Sequence, residues 1–95
     1  MGMTDGRADA IVHMARELYE HLMVWGRGMT HTEVAVAAGY KRSPWTRDAL
    51  LWLVQHDMVE VTGTVKRRGF VADVYALTQY GRDWLESAGQ DAQSN

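Results

Sequence analysis

The chain of 95 residues has no cysteine, one proline and one phenylalanine. Without thiols there is neither a disulfide framework nor a thiolate metal site, and their absence fits a reducing compartment. A long apolar run is also missing. The longest, Ala49 to Val54, falls far short of the roughly 20 residues that cross a bilayer. Asp5 and Asp9 stand where a secretory leader would be apolar, so the sequence reads as cytoplasmic, untargeted and without a membrane partner. Nor is there an excess of positive charge: 10 Lys and Arg against 12 Asp and Glu give a net charge of −2. The length suits one modest core and excludes a second domain around a cleft.

Signatures of chemistry are equally sparse. His13, His21, His31 and His56 show no metal-ligand spacing, and no HExxH-type pairing accompanies them. No glycine-rich phosphate loop follows a strand, and no nucleophile has a base at suggestive spacing. The expectation is a protein that is not an enzyme and uses no cofactor or metal, with methionines such as Met14 acting as core filler.

Hydrophobic residues, at 46%, are those of a folded globular chain. Thr4 or Asp5 is suited to cap a first helix, whose apolar residues Ile11, Met14, Ala15, Leu18, Leu22 and Trp25 recur at helical spacing before Gly26 and Gly28 end it. A second, narrower stripe of Val12, Tyr19 and Met23 exceeds what a one-sided helix needs and suggests a partner chain. Thr30 with Glu33 forms a capping box for a short helix ending at Gly39. Ser43 is an N-cap, with Pro44 at the first position of a third helix that runs to about His56. Two capped helices joined by a glycine turn make a helix-turn-helix over about residues 30–57.

From Val59 the period becomes alternating, with Val59, Val61 and Val65 on one side and Glu60, Thr62 and Thr64 on the other. A second strand, Phe70 to Leu77, follows Lys66-Arg67-Arg68-Gly69, so the two pair as a basic-tipped hairpin over about residues 59–78. Thr78 caps a short last helix that turns Tyr80, Trp84, Leu85 and Ala88 inward. The single domain is expected over residues 1–88, and 89–95 as a disordered polar tail.

Two local sequences resemble the winged helix domains of bacterial regulators of the MarR, ArsR and PadR type. Ala49-Leu50-Leu51-Trp52-Leu53-Val54-Gln55-His56-Asp57-Met58-Val59 is similar to the end of their recognition helix and the entry to their wing. Tyr75-Ala76-Leu77-Thr78-Gln79-Tyr80-Gly81, followed by Leu85, looks like their exit strand and closing helix. The resemblance covers about residues 30–85. It implies an α+β, mainly helical fold: a winged helix-turn-helix with a three-helix core, a two-stranded wing and a short C-terminal helix. It also implies a transcriptional regulator that binds double-stranded DNA as a homodimer.

Carried over by position, Ser43, Trp45, Thr46, Arg47 and Asp48 would approach base edges, and Lys66, Arg67 and Arg68 the backbone or minor groove. Lys41 and Arg42 suit phosphate contacts, Arg47 a guanine edge, and Gln55 adenine or a phosphate. Six of the ten basic residues fall between positions 41 and 68. Val12, Tyr19, Met23 and Trp84 are the expected dimer interface. A helical wheel puts Thr46, Leu50, Leu53 and Val54 inward and leaves Trp45, Leu51 and Trp52 on an apolar outer flank. Either the first helix or the wing covers that flank, or it meets a dimer partner or another protein. The competing function is therefore a protein-binding module, an inhibitor or adaptor.

Overall fold

Caps and glycines divide the chain where local chemistry demands it. The computed structural model describes the backbone of residues 7–93 and the side chains of residues 7–87. Four helices and three strands occur among the described residues: α1 (Arg7–Trp25), β1 (Met29–Thr30), α2 (His31–Ala37), α3 (Pro44–Gln55), β2 (Val59–Arg67), β3 (Phe70–Leu77) and α4 (Gln79–Gln93). The protein is thus α+β and mostly helical. The Thr4 or Asp5 cap lies outside the described residues.

Both expected caps are formed. Thr30 Oγ1 accepts from Glu33 N at 3.3 Å while Thr30 N donates to Glu33 Oε1 at 2.9 Å, and Ser43 Oγ accepts from Thr46 N at 3.2 Å. Each satisfies amides that a helix start leaves without partners. His56 closes α3, its Nδ1 2.8 Å from Trp52 O, and Asp57 then takes φ 60° to turn the chain into β2.

α1 packs against α2, α3, α4 and β3, and the core fills the space between them. Met14, Leu18, Val34, Leu50 and Leu53 are fully buried. Each large side chain among them contributes about 1.5–3 kcal/mol of apolar burial. The α1 stripe holds from Ala10 to Leu18, but Trp25, expected on the core face, is 64% exposed. A helix of 19 residues is about 28 Å long and overhangs this small core at its C-terminal end.

The sheet differs from the expected two-stranded hairpin. Its order is β1-β3-β2, all antiparallel, because Met29 and Thr30 pair with Tyr75 and Val74. This contact explains Gly28 better than helix termination does, since a Cβ there would fall on the Tyr75 carbonyl. The alternation in β2 is also broken. Val61 pairs with Tyr75 but Gly63 with Val74, leaving Thr62 as a bulge. Val59 and Val61 therefore lie opposite Leu77 and Tyr75 on one face, whereas Val65, opposite Ala72, lies on the other.

Thr78 caps α4 as expected. Its Oγ1 accepts from Gly81 N at 3.0 Å and donates to Asp57 O at 2.6 Å. Gly81 is required by close approach, a Cβ there meeting the Met58 carbonyl. α4 continues to Gln93, so the segment expected to be disordered from residue 89 is helical in backbone up to that point; residues 94 and 95 lie outside the described residues. The side chain of Ala88 also lies outside them, and Tyr80, expected inward, is 59% exposed. No helix among the described residues is long and apolar enough to cross a membrane.

Candidate functional site

The turn between α2 and α3 carries Lys41 and Arg42, both exposed, and Arg47 is exposed in the first turn of α3. β3 of the β2–β3 hairpin lines the same cleft as Arg42 and Arg47. Lys66 and Arg67 lie within β2, opposite Val71 and Phe70, so only Arg68 and Gly69 form the turn, with Gly69 at φ 75°. The expected four-residue basic tip is thus shortened to two, and its cations extend down the strand.

Between helix pair and hairpin lies a cleft of about 250 Å³. One wall is Thr30, His31, Thr32, Arg42 and Arg47; the other is β3, from Phe70 to Asp73 together with Tyr75. Phe70 and Val71 are each 59% exposed. Arg67 reaches across to Glu33 on α2 at 3.7 Å. With both side chains about half exposed, this pair contributes little to stability, on the order of 0–1 kcal/mol. The Thr30 amide, by donating to Glu33, holds its carboxyl below the ordinary carboxylate range.

Several expected site residues have other duties. Thr46 is 1% exposed and cannot meet a base edge. Its Oγ1 lies 2.7 Å from His31 Nε2 and accepts from Ser43 N at 3.0 Å, so it ties α2 to the start of α3. Ser43 is half-buried, its hydroxyl engaged as the cap. Trp45 is half-buried, edge-on to Tyr40 at 5.5 Å, and Tyr40 in turn stacks on His13 of α1. Gln55 is exposed but stands about 12 Å of helical rise beyond Arg47, at the opposite end of α3.

The apolar flank of α3 is largely covered from within. Leu51 and Trp52 are half-buried, Trp52 packs against the core, and its ring stacks on His56 with centroids 3.8 Å apart. Among the expected dimer residues, Val12 is half-buried. Tyr19 donates to Glu86 Oε2 of α4 at 3.0 Å, and Trp84 packs on the core. That hydrogen bond and the Glu86 charge push the Tyr19 phenol up. Met23 is 49% exposed, and the exposure continues through Val24 and Trp25 to Val36 on α2.

His31 is the residue that sequence reasoning missed. It is buried, and its imidazole is held below the ordinary 6.5 by that burial, then by the positive charges of Arg42 and Arg47. Its Nδ1 is buried with no hydrogen-bond partner. A histidine directly after an N-cap was the available signal, but burial there depends on the crossing of α2 and α3. No group of three or more His, Cys, Asp or Glu side chains suited to hold a metal ion occurs among the described residues. Neither family models, curated proteins nor solved structures match the chain.

Proposed function

We propose that the protein is a winged helix DNA-binding regulator in which α1, α2 and α3 form the three-helix core, α3 is the recognition helix and the β2–β3 hairpin the wing. The observation that carries this reading is that exposed cations from two separate segments meet at one cleft: Arg42 and Arg47 line one wall, and β3, which lines the other, pairs with the β2 segment that carries Lys66 and Arg67, the latter bound to Glu33, with Arg68 in the turn between the strands. Charge so concentrated on a chain of net −2 favours a polyanion at this face and not elsewhere. An α-helix start carrying Arg47 suits major-groove contact, and the hairpin cations suit backbone phosphates. The protein is not an enzyme on this reading.

Homodimerisation belongs to the same proposal. With Tyr19 and Trp84 engaged inside the chain, the exposed apolar residues of α1 for a second copy are Met23, Val24 and Trp25. The protein-binding alternative through Trp45, Leu51 and Trp52 loses support because all three are half-buried.

Fluorescence anisotropy on labelled duplexes over a range of salt tests the proposal. Arg67→Ala is expected to weaken all sequences alike and reduce the salt slope by about 1, whereas Arg47→Ala costs about 1–3 kcal/mol on a preferred sequence and little on a scrambled one. Binding that is absent at low salt, or unaffected by either substitution, would overturn it.

A further inference from the structure

The cleft holds an arrangement that packing does not account for. His31 is 7% exposed, with Nε2 engaged by Thr46 at 2.7 Å and Nδ1 without a partner. A buried polar nitrogen left so is unfavourable. Thr46 Oγ1 already accepts from Ser43 N, and its single proton is within reach of His31 Nε2 at 2.7 Å and of Ser43 O at 3.0 Å. When that proton goes to Nε2, the imidazole carries its own proton on Nδ1 and presents a buried donor with no acceptor. Arg42 and Arg47 line the same cleft, and their charges reach the ring, since both depress its protonation. Two guanidinium groups beside a buried imidazole line a 250 Å³ cavity in which Asp73 is the one carboxylate, so the lining carries an excess of positive charge.

We propose that this cleft is a binding site for a phosphate-type oxyanion, held by the Arg42 and Arg47 guanidinium groups beside the buried His31 ring. Guanidinium forks match the oxygens of phosphate, and charge-assisted bonds are the strong ones. Asp73 on the hairpin wall is the carboxylate that opposes it, and the Glu33–Arg67 pair beside the cleft is neutral in sum. The anion is either a backbone phosphate of duplex DNA, a source that rests on the function proposed above, or a free phosphate ester, which does not need it.

The test is an NMR titration of the His31 ring in the full chain with inorganic phosphate, chloride being exchanged to hold ionic strength constant. A saturable shift and a raised His31 pKa are expected. The Arg42→Ala, Arg47→Ala double variant, altering exposed side chains only, should bind phosphate at least about tenfold more weakly. Asp73→Asn should bind it more tightly, a gain that a purely structural role would not produce. Phosphate that displaces labelled duplex identifies the DNA backbone as the source; saturation without displacement identifies a free ester. A His31 ring that responds to neither phosphate nor duplex, or a response unchanged in the double variant, overturns the site. Duplex binding by anisotropy with an unresponsive ring leaves the DNA reading standing without the cleft, and phosphate saturation with no duplex binding does the reverse.

Discussion

Replacing Thr46 by valine removes one hydroxyl from the polar contact that joins α2 to α3. Valine has nearly the same volume, so no cavity opens in a residue only 1% exposed, and packing loss is small. Ser43 O, which that hydroxyl also reaches, keeps the Arg47 amide, and the longer contact to Lys41 O at 3.4 Å is weak; two groups lose a closer partner. His31 Nε2, 2.7 Å from Thr46 Oγ1, is stranded in a buried side chain at a cost of about 1–3 kcal/mol. Ser43 N, 3.0 Å from the same oxygen, is half-buried and recovers water, so this half of the capping box costs about 0.5–1 kcal/mol. The total of about 1.5–4 kcal/mol is a large part of the roughly 5–15 kcal/mol that stabilises a small domain. At roughly 4–8 °C per kcal/mol, Tm falls by roughly 6–32 °C. Urea unfolding followed by circular dichroism at about pH 7.5, with His31→Phe and the double variant completing the cycle, measures it; a coupling of at least about 1 kcal/mol is expected. A Thr46→Val cost below about 0.5 kcal/mol, additive with His31→Phe, would refute the reasoning.

The other predictions concern pH and backbone. Because the folded His31 value lies below 6.5, the unfolded chain binds more protons just below that pH; stability is complete above 6.5 and declines as pH falls through the window down to the folded value. Stability measured from about pH 7 to about pH 5 should show this decline and lose it in His31→Gln, and equal profiles would contradict the assignment. Gly81→Ala forces a Cβ against the Met58 carbonyl and should cost about 1–3 kcal/mol despite alanine's helix propensity, a stabilised variant being the contrary result. Asp57, at φ 60°, should accept glycine with a change within about 1 kcal/mol and lose about 1–2 kcal/mol on replacement by valine; equal denaturation midpoints for the two variants would argue against the left-handed turn.

The elements legible in the sequence are those set by neighbouring residues. Thr30 with Glu33, and Ser43 with Pro44, mark helix starts because a capping hydroxyl bonds an amide three residues on. The change of period at Val59 marks a strand for a similar reason. What stayed hidden depends on distant partners. β1 is two residues long and exists because Met29 and Thr30 meet Tyr75 and Val74 across some 45 positions of chain. The Thr62 bulge moves Val65 to the opposite face, which no alternation count foresees. Trp25 follows the core stripe in spacing, yet the core ends before the helix does.

The candidate site divides along the same line. Lys41, Arg42, Arg47, Lys66 and Arg68 are exposed, and long charged side chains in turns and on a hairpin almost always are. Thr46 illustrates the limit. Its spacing places it both in the first turn of α3, near any ligand of that helix, and on the inward face; the His31 contact decides for the inward role. The cleft itself arises from β3 passing alongside the start of α2, a tertiary placement that neither segment encodes alone.

Selection from a random-sequence duplex library at about 150 mM salt tests DNA recognition most directly, because contacts to phosphate alone fade steeply with salt. The expected result is an enriched inverted repeat with half-sites about one helical turn apart, lost in the Arg47→Ala, Arg67→Ala double variant. A folded protein that returns the library without enrichment would contradict sequence-specific binding at this face.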